Sequence, residues 1–326
     1  METENKVKAR KIILSACVAA LALIYAAQIV IINRSPVKTF KLKGEADKIT
    51  ISTSAKTLTL TFEEGKWLVG DKKREADSDA VQNLIDAMRE IKTHGTVSRS
   101  DDESELTRYG LNDTQTIEVS VERAGKNILS LAIGKDAAAS FQNYVRISPS
   151  AEILSASGDL RNVFSVDEET LRRHEIFPQL SQLSENEILS VAVTLPSETF
   201  VLEKSNSGTW IFASSVSQDE NAAVDSEKTL SLINRIKNLS AAKWAQENAS
   251  ADFANENETR RITVATEKGK YTLECAPKYE ESEGGEKYLC SASTADDLFY
   301  ISGYDYENLF KAGDDYIVSD QQDQLL

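Results

Sequence analysis

The sequence predicts an α+β fold: an N-terminal transmembrane helix followed by two tandem repeats, each an antiparallel sheet with helices packed on one face. Three observations predict it. Short runs alternate apolar and polar residues, as in Ile49-Thr50-Ile51-Ser52 and Leu58-Thr59-Leu60-Thr61-Phe62, which is the period of strands with one buried face. Connections between neighbouring strands are too short for parallel crossovers, which need a dozen or more residues, and helical patterns come singly after groups of strands. The whole order then recurs: Trp210 follows Trp67 by 143 residues and the helix start at Asp225 follows that at Asp77 by 148. Solenoid repeats run at roughly 20 to 50 residues, so this offset marks a duplicated domain.

Taken in order, residues 1–11 form a basic cytoplasmic tail and residues 12–32 an apolar run without a charge. Twenty-one residues at about 1.5 Å each span a hydrocarbon core of about 30 Å. A cleaved signal peptide has a shorter apolar core ending in small residues, and here the run continues to Ile32. The tetrapeptide Leu14-Ser15-Ala16-Cys17 resembles a lipoprotein processing site, but cleavage there would leave most of the apolar run attached. An uncleaved anchor in the lipid bilayer is the reading. Basic residues tie across the span, four on each side. The short basic tail and the acidic bulk place the N-terminus inside and the large domains outside.

Residues 33–45 contain Pro36 and read as a stalk. The first repeat covers 46–178. Its strand pair leads through Gly65-Lys66-Trp67 to a helix started by Asp77-Ser78-Asp79, with Val81, Leu84, Ile85, Met88 and Ile91 on one face and His94-Gly95 closing it. A short helical turn at 106–111 precedes strands near 116–121, 128–133, 144–147 and 152–154 and a helix at 159–164. Pro178 and polar neighbours put the boundary between 171 and 185. The second repeat covers 184–318: strands, Gly208-Thr209-Trp210, a helix with Thr229, Leu232, Ile233, Ile236 and Leu239 inward, then strands near 261–264, 270–275, 288–290 and 298–301 and a helix at 304–310. Residues 319–326 read as a frayed tail.

Charge narrows the function. Residues 1–43 hold eight Lys/Arg against Glu2 and Glu4, and the remaining 29 basic and 50 acidic residues leave the rest of the chain at −21. Such a surface repels nucleic acid, whose binding needs clustered Lys/Arg. Nucleic-acid binding is excluded on this ground. Three cysteines and two histidines, with no CxxC and no Cys/His cluster, give no zinc motif and no cofactor motif. There is no G-x-S-x-G, no G-x-G-x-x-G and no Walker A loop, so no catalytic residue, cofactor or metal is assigned.

Trp67 and Trp210 read as core anchors rather than ligand platforms. Asp77 and Asp225 read as helix caps rather than metal ligands. The acidic stretches 101–103 and 280–286 lack EF-hand spacing and read as solvated loops. Cys275 and Cys290 stand apart: a hairpin folded about Ser282/Glu283 sets them opposite each other, as either a disulfide or two buried free thiols.

Gly65-Lys66-Trp67, Ala76-Asp77-Ser78, Tyr109-Gly110-Leu111, Ile133-Gly134 and Tyr144-Val145 together resemble the bacterial family catalogued as domain of unknown function 4340, here in two tandem copies. The second unit follows the pattern more loosely, with Phe253-Ala254 in place of Tyr-Gly. The resemblance implies a membrane-anchored envelope protein encoded beside ABC-type transporter subunits of the gliding-motility kind. The expected function is therefore a non-enzymatic accessory or scaffold subunit of such a complex, with membrane transporter subunits as partners. Two further readings stand beside it: an extracytoplasmic module binding a small molecule or envelope polymer, and a hydrolase of unrecognised type.

Overall fold

A computed structural model describes residues 16–26, 28, 37–213, 223–251, 253, 258–282 and 285–318. Residues 16–26 and 28 are helical. The remainder of the expected 12–32 anchor and both expected tails lie outside the described residues. Among the described residues no helix is long and apolar enough to cross a membrane. The chain divides into two compact units between Arg173 and His174.

The first unit contains β1 (Lys38–Lys41), β2 (Lys48–Ser52), β3 (Thr57–Glu63), β4 (Lys66–Val69), β5 (Arg74–Glu75) and helix α1 (Ser78–Arg89). It continues with β6 (Glu90–Ser98), α2 (Glu103–Tyr109), β7 (Ile117–Arg123), β8 (Lys126–Asp136), β9 (Gln142–Ile147), β10 (Ile153–Ser157) and α3 (Leu160–Phe164). All ten strands form one antiparallel sheet in the order β1-β6-β10-β9-β8-β7-β2-β3-β4-β5. Alternate residues such as Ile49, Ile51, Leu60, Val119, Val121, Leu131 and Val145 point into a core that also takes Val81, Leu84 and Met88 of α1. The polar partners of that alternation form the other face.

The second unit contains β11 (Ile188–Thr194), β12 (Thr199–Lys204), β13 (Trp210–Phe212), α4 (Ser226–Lys237), β14 (Lys243–Trp244), β15 (Arg260–Thr266), β16 (Gly269–Ser282), β17 (Gly285–Ala292), β18 (Phe299–Ser302) and α5 (Gly303–Leu309). Its sheet runs β13-β12-β11-β15-β16-β17-β18-β14. The first sheet, taken from its other side, runs β4-β3-β2-β7-β8-β9-β10-β6 between the added edge strands β5 and β1. The two orders correspond strand for strand, and each helix after the first strand group leads into an edge-side strand, β6 or β14.

Both α1 and α4 start as their sequences dictate. The Asp77 carboxylate accepts from the Ala80 N–H at 2.8 Å, and that of Asp225 from the N–H groups of Glu227 and Lys228 at 3.0 and 3.1 Å. These bonds satisfy donors that the first helical turn leaves open. Asp77→Ala and Asp225→Ala are each expected to lower stability by about 1 kcal/mol in a urea titration, with Asn replacing Asp at little cost.

Four expectations are corrected. Helix α1 ends at Arg89, so Ile91 is buried in β6, not on the helix. Gly95, with φ of +126°, serves β6: the register against β10 slips beside it, so it enables a β-bulge rather than a helix cap. The stalk proposed at 33–45 includes β1, whose Phe40 packs against the core while Lys38, Thr39 and Lys41 face solvent. The first repeat does not reach 178. Ile176, Phe177, Leu180 and Leu183 are all buried in the second unit's core, and Pro178 opens a single helical turn rather than a linker.

Trp67 and Trp210 both meet the core of their unit, to different depths. Trp210 is buried in the second core, with the Lys204 ammonium 5.4 Å from its ring centroid. Trp67 is half-buried and packs on Phe62, with ring centroids 5.5 Å apart.

Candidate functional site

The open face of the first sheet carries a cavity of about 380 Å³. Its floor follows from the strand register. Thr50 of β2 lies opposite Ser120 of β7, which lies opposite Ser130 of β8. The neighbouring row sets Ser52 opposite Glu118, Glu118 opposite Ala132, and Ala132 opposite Arg146 of β9. Small side chains at the centre leave a trough, because outward residues on a pleated sheet stand roughly perpendicular to it and their size sets the local depth. Leu111 and Pro149 supply apolar rim at the end nearest the loops.

The polar groups of the floor are oriented. The Asn127 amide donates to Ser120 Oγ at 2.8 Å and to Ser130 Oγ at 2.9 Å. Each serine oxygen is thereby an acceptor to Asn127, and its own O–H remains free to donate. Arg146 and Glu118 line this cavity from either side of Ala132. Among the described residues neither makes an ion pair or a side-chain hydrogen bond, whereas Lys48 pairs with Glu122 at 3.1 Å and Arg74 with Glu168 at 3.1 Å. Ala132, between them in the register, is too short to reach either.

In the second unit Cys275 and Cys290 form a buried disulfide between β16 and β17. The hairpin closes at Ser282 and Gly285, one residue later than a fold about Ser282/Glu283 would have it. From that closure Cys275 would face Ala292. A register shift between Cys275 and Tyr279 restores the pairing, at the stretch containing Pro277. Proline has no N–H for the ladder and is found at such irregularities. Beside the bridge Tyr288 stacks on Tyr306 with centroids 3.5 Å apart, and the Arg260 guanidinium lies 4.8 Å from the Tyr306 centroid. Burial, then the hydrogen bond with Glu286, pushes the Tyr288 phenol up to about 12, so it stays neutral at physiological pH.

The remaining polar candidates resolve into scaffold. Glu103 opens α2, and Asp102 takes the Ser100 hydroxyl at 2.7 Å. Among the described residues no group of three or more His, Cys, Asp or Glu is placed to hold a metal. His174 Nδ1 lies 2.8 Å from the Ala241 carbonyl oxygen. His94 Nε2 lies 2.5 Å from Ser157 Oγ on exposed strand positions. No carboxylate meets the other imidazole nitrogen among the described residues, so the pair lacks the orienting group of a catalytic triad.

The family model described as "Domain of unknown function (DUF4340)" matches residues 67–274, well over half of the chain. The chain belongs to this family. The DUF4340 match runs through the boundary between the two units, so it does not assign one copy of the family model to each. No curated protein and no solved structure matches the chain.

Three of the segments that carry the resemblance, Tyr109-Gly110-Leu111, Ile133-Gly134 and Tyr144-Val145, meet at one point. Gly110 ends α2 in the left-handed region at φ 68°, and a Cβ there would lie 2.8 Å from the Lys135 amide nitrogen of β8. A Cβ on Gly134 would overlap the Tyr109 carbonyl oxygen. The two glycines thus let the end of α2 lie directly on β8, while Tyr109 and Tyr144 meet edge to face at 4.7 Å. Leu111, the next motif residue, is held at the rim of the cavity. This contact therefore positions one residue of the cavity rim. Arg146 and Glu118 escaped the sequence reading, since the one signal for them is a register that brings residues 28 apart to flank Ala132.

Proposed function

We propose that this DUF4340 protein is a non-enzymatic, membrane-anchored envelope protein whose two sheet domains serve outside the cytoplasmic membrane as an accessory or scaffold module of an ABC-type transport complex. The observation that carries the extracytoplasmic half of this reading is the buried Cys275–Cys290 disulfide, because such bonds persist in oxidising compartments and are rare in the cytosol. The charge-free run at 12–32 and the net acidic remainder of the chain support the anchor and its orientation. The transporter partnership rests on the family resemblance alone.

Carbonate-washed membranes are expected to retain the full-length protein, and protease added to spheroplasts to digest the domains. Leu21→Arg disfavours insertion by about 3 kcal/mol and shifts protein to the soluble fraction. Affinity purification in mild detergent is expected to recover permease and ATPase subunits in comparable amounts. Wild-type protein in the carbonate supernatant overturns the anchor, and purification without any transporter subunit overturns the accessory role.

A further inference from the structure

The geometry points to the open face of the first sheet as a binding site for a short zwitterionic peptide, with its carboxylate on Arg146 and its ammonium on Glu118. This goes beyond the scaffold role and holds with or without the anchor. The two sheets differ at this pair of charges. In the second sheet Arg261 and Glu274 stand directly opposite each other and close an ion pair at 2.7 Å. In the first sheet Glu118 and Arg146 are kept one strand further apart by Ala132, and both remain without a partner among the described residues. Arg146 is half-buried and Glu118 exposed at the cavity, and a guanidinium that keeps its charge there can offer two N–H donors to an anion.

Spacing then selects the ligand. Two strand intervals place the backbones of Glu118 and Arg146 roughly 10 Å apart. An extended peptide covers about 3.3 to 3.6 Å per residue, so two or three residues match the interval between the two strands. The cavity of about 380 Å³ is within the usual range for small ligands. Its floor suits peptide carbonyls: Ser120 and Ser130 each accept from Asn127, and each hydroxyl keeps its proton to donate. Leu111 and Pro149 offer apolar contact to a side chain at the rim. Arginine gives the carboxylate two parallel N–H donors, the strongest recognition available to that group.

The test is calorimetric titration of the full-length protein with dialanine, acetyl-dialanine and dialanine amide, which carry both charges, the carboxylate alone and the ammonium alone. Dialanine is expected to bind, with each capped form weaker by about tenfold or more. Glu118→Gln is expected to erase the preference for dialanine over the acetylated form and to leave the preference over the amide. Arg146→Gln does the reverse, and Arg146→Lys retains part of the affinity. Thermal melts matching the wild type show that each variant is folded. Equal binding of all three peptides, no binding of dialanine, or binding of galacturonate in its place each overturns the assignment.

Discussion

Leu84→Ala is expected to destabilise the first unit, and Leu232→Ala the second, by about 2 to 5 kcal/mol each. Both side chains lie at the helix–sheet contact of their unit, 1% and 3% exposed. Each truncation removes transfer free energy and leaves a cavity that the surrounding β-branched residues cannot fill without leaving their rotamers. Trp67 is the first unit's tryptophan, while Trp210 and Trp244 lie in the second. Variants that retain a single tryptophan therefore report each loss where it occurs in a denaturant titration. Losses below about 0.5 kcal/mol, typical of surface sites, would show that these helix faces do not form the cores.

Reduction of the Cys275–Cys290 bridge is the second large effect. The cysteines are 15 residues apart in sequence. Cross-linking a loop of that length stabilises by about 3 kcal/mol in the chain-entropy model. Cys275→Ala, Cys290→Ala and the double variant are expected to lose similar amounts, since either change opens the loop. Dithiothreitol should destabilise the wild type and leave the double variant unchanged. A double variant as stable as the oxidised wild type would contradict this.

The strands were readable because half-buried strands write their burial into alternation, as in Ile49 to Ser52, whose burial alternates residue by residue. The helix starts were readable because Asp77 and Asp225 make their capping bonds within three residues. The end of α1 was not, since Ile91 continues the spacing of Leu84 and Met88 and satisfies a helix face and an inward strand position alike. The boundary was misplaced because proline signals a break and also a first helical turn, and only the burial of Phe177 and Leu180 separates the two. The cysteines pair as one of the two readings had it, but through a shift of register that no pattern in the sequence announces. The trough was hidden for a related reason. Glu118, Ala132 and Arg146 lie on three strands and become neighbours through pairing alone.

The proposal that the domains sit outside the cytoplasm is tested most directly by the thiols of the protein in its native membrane. Membranes prepared without reductant are denatured and alkylated, then reduced and alkylated with a second reagent before mass spectrometry. Cys17, the free cysteine, is expected to take the first label, and Cys275 and Cys290 the second. First-label modification of both Cys275 and Cys290 would contradict it.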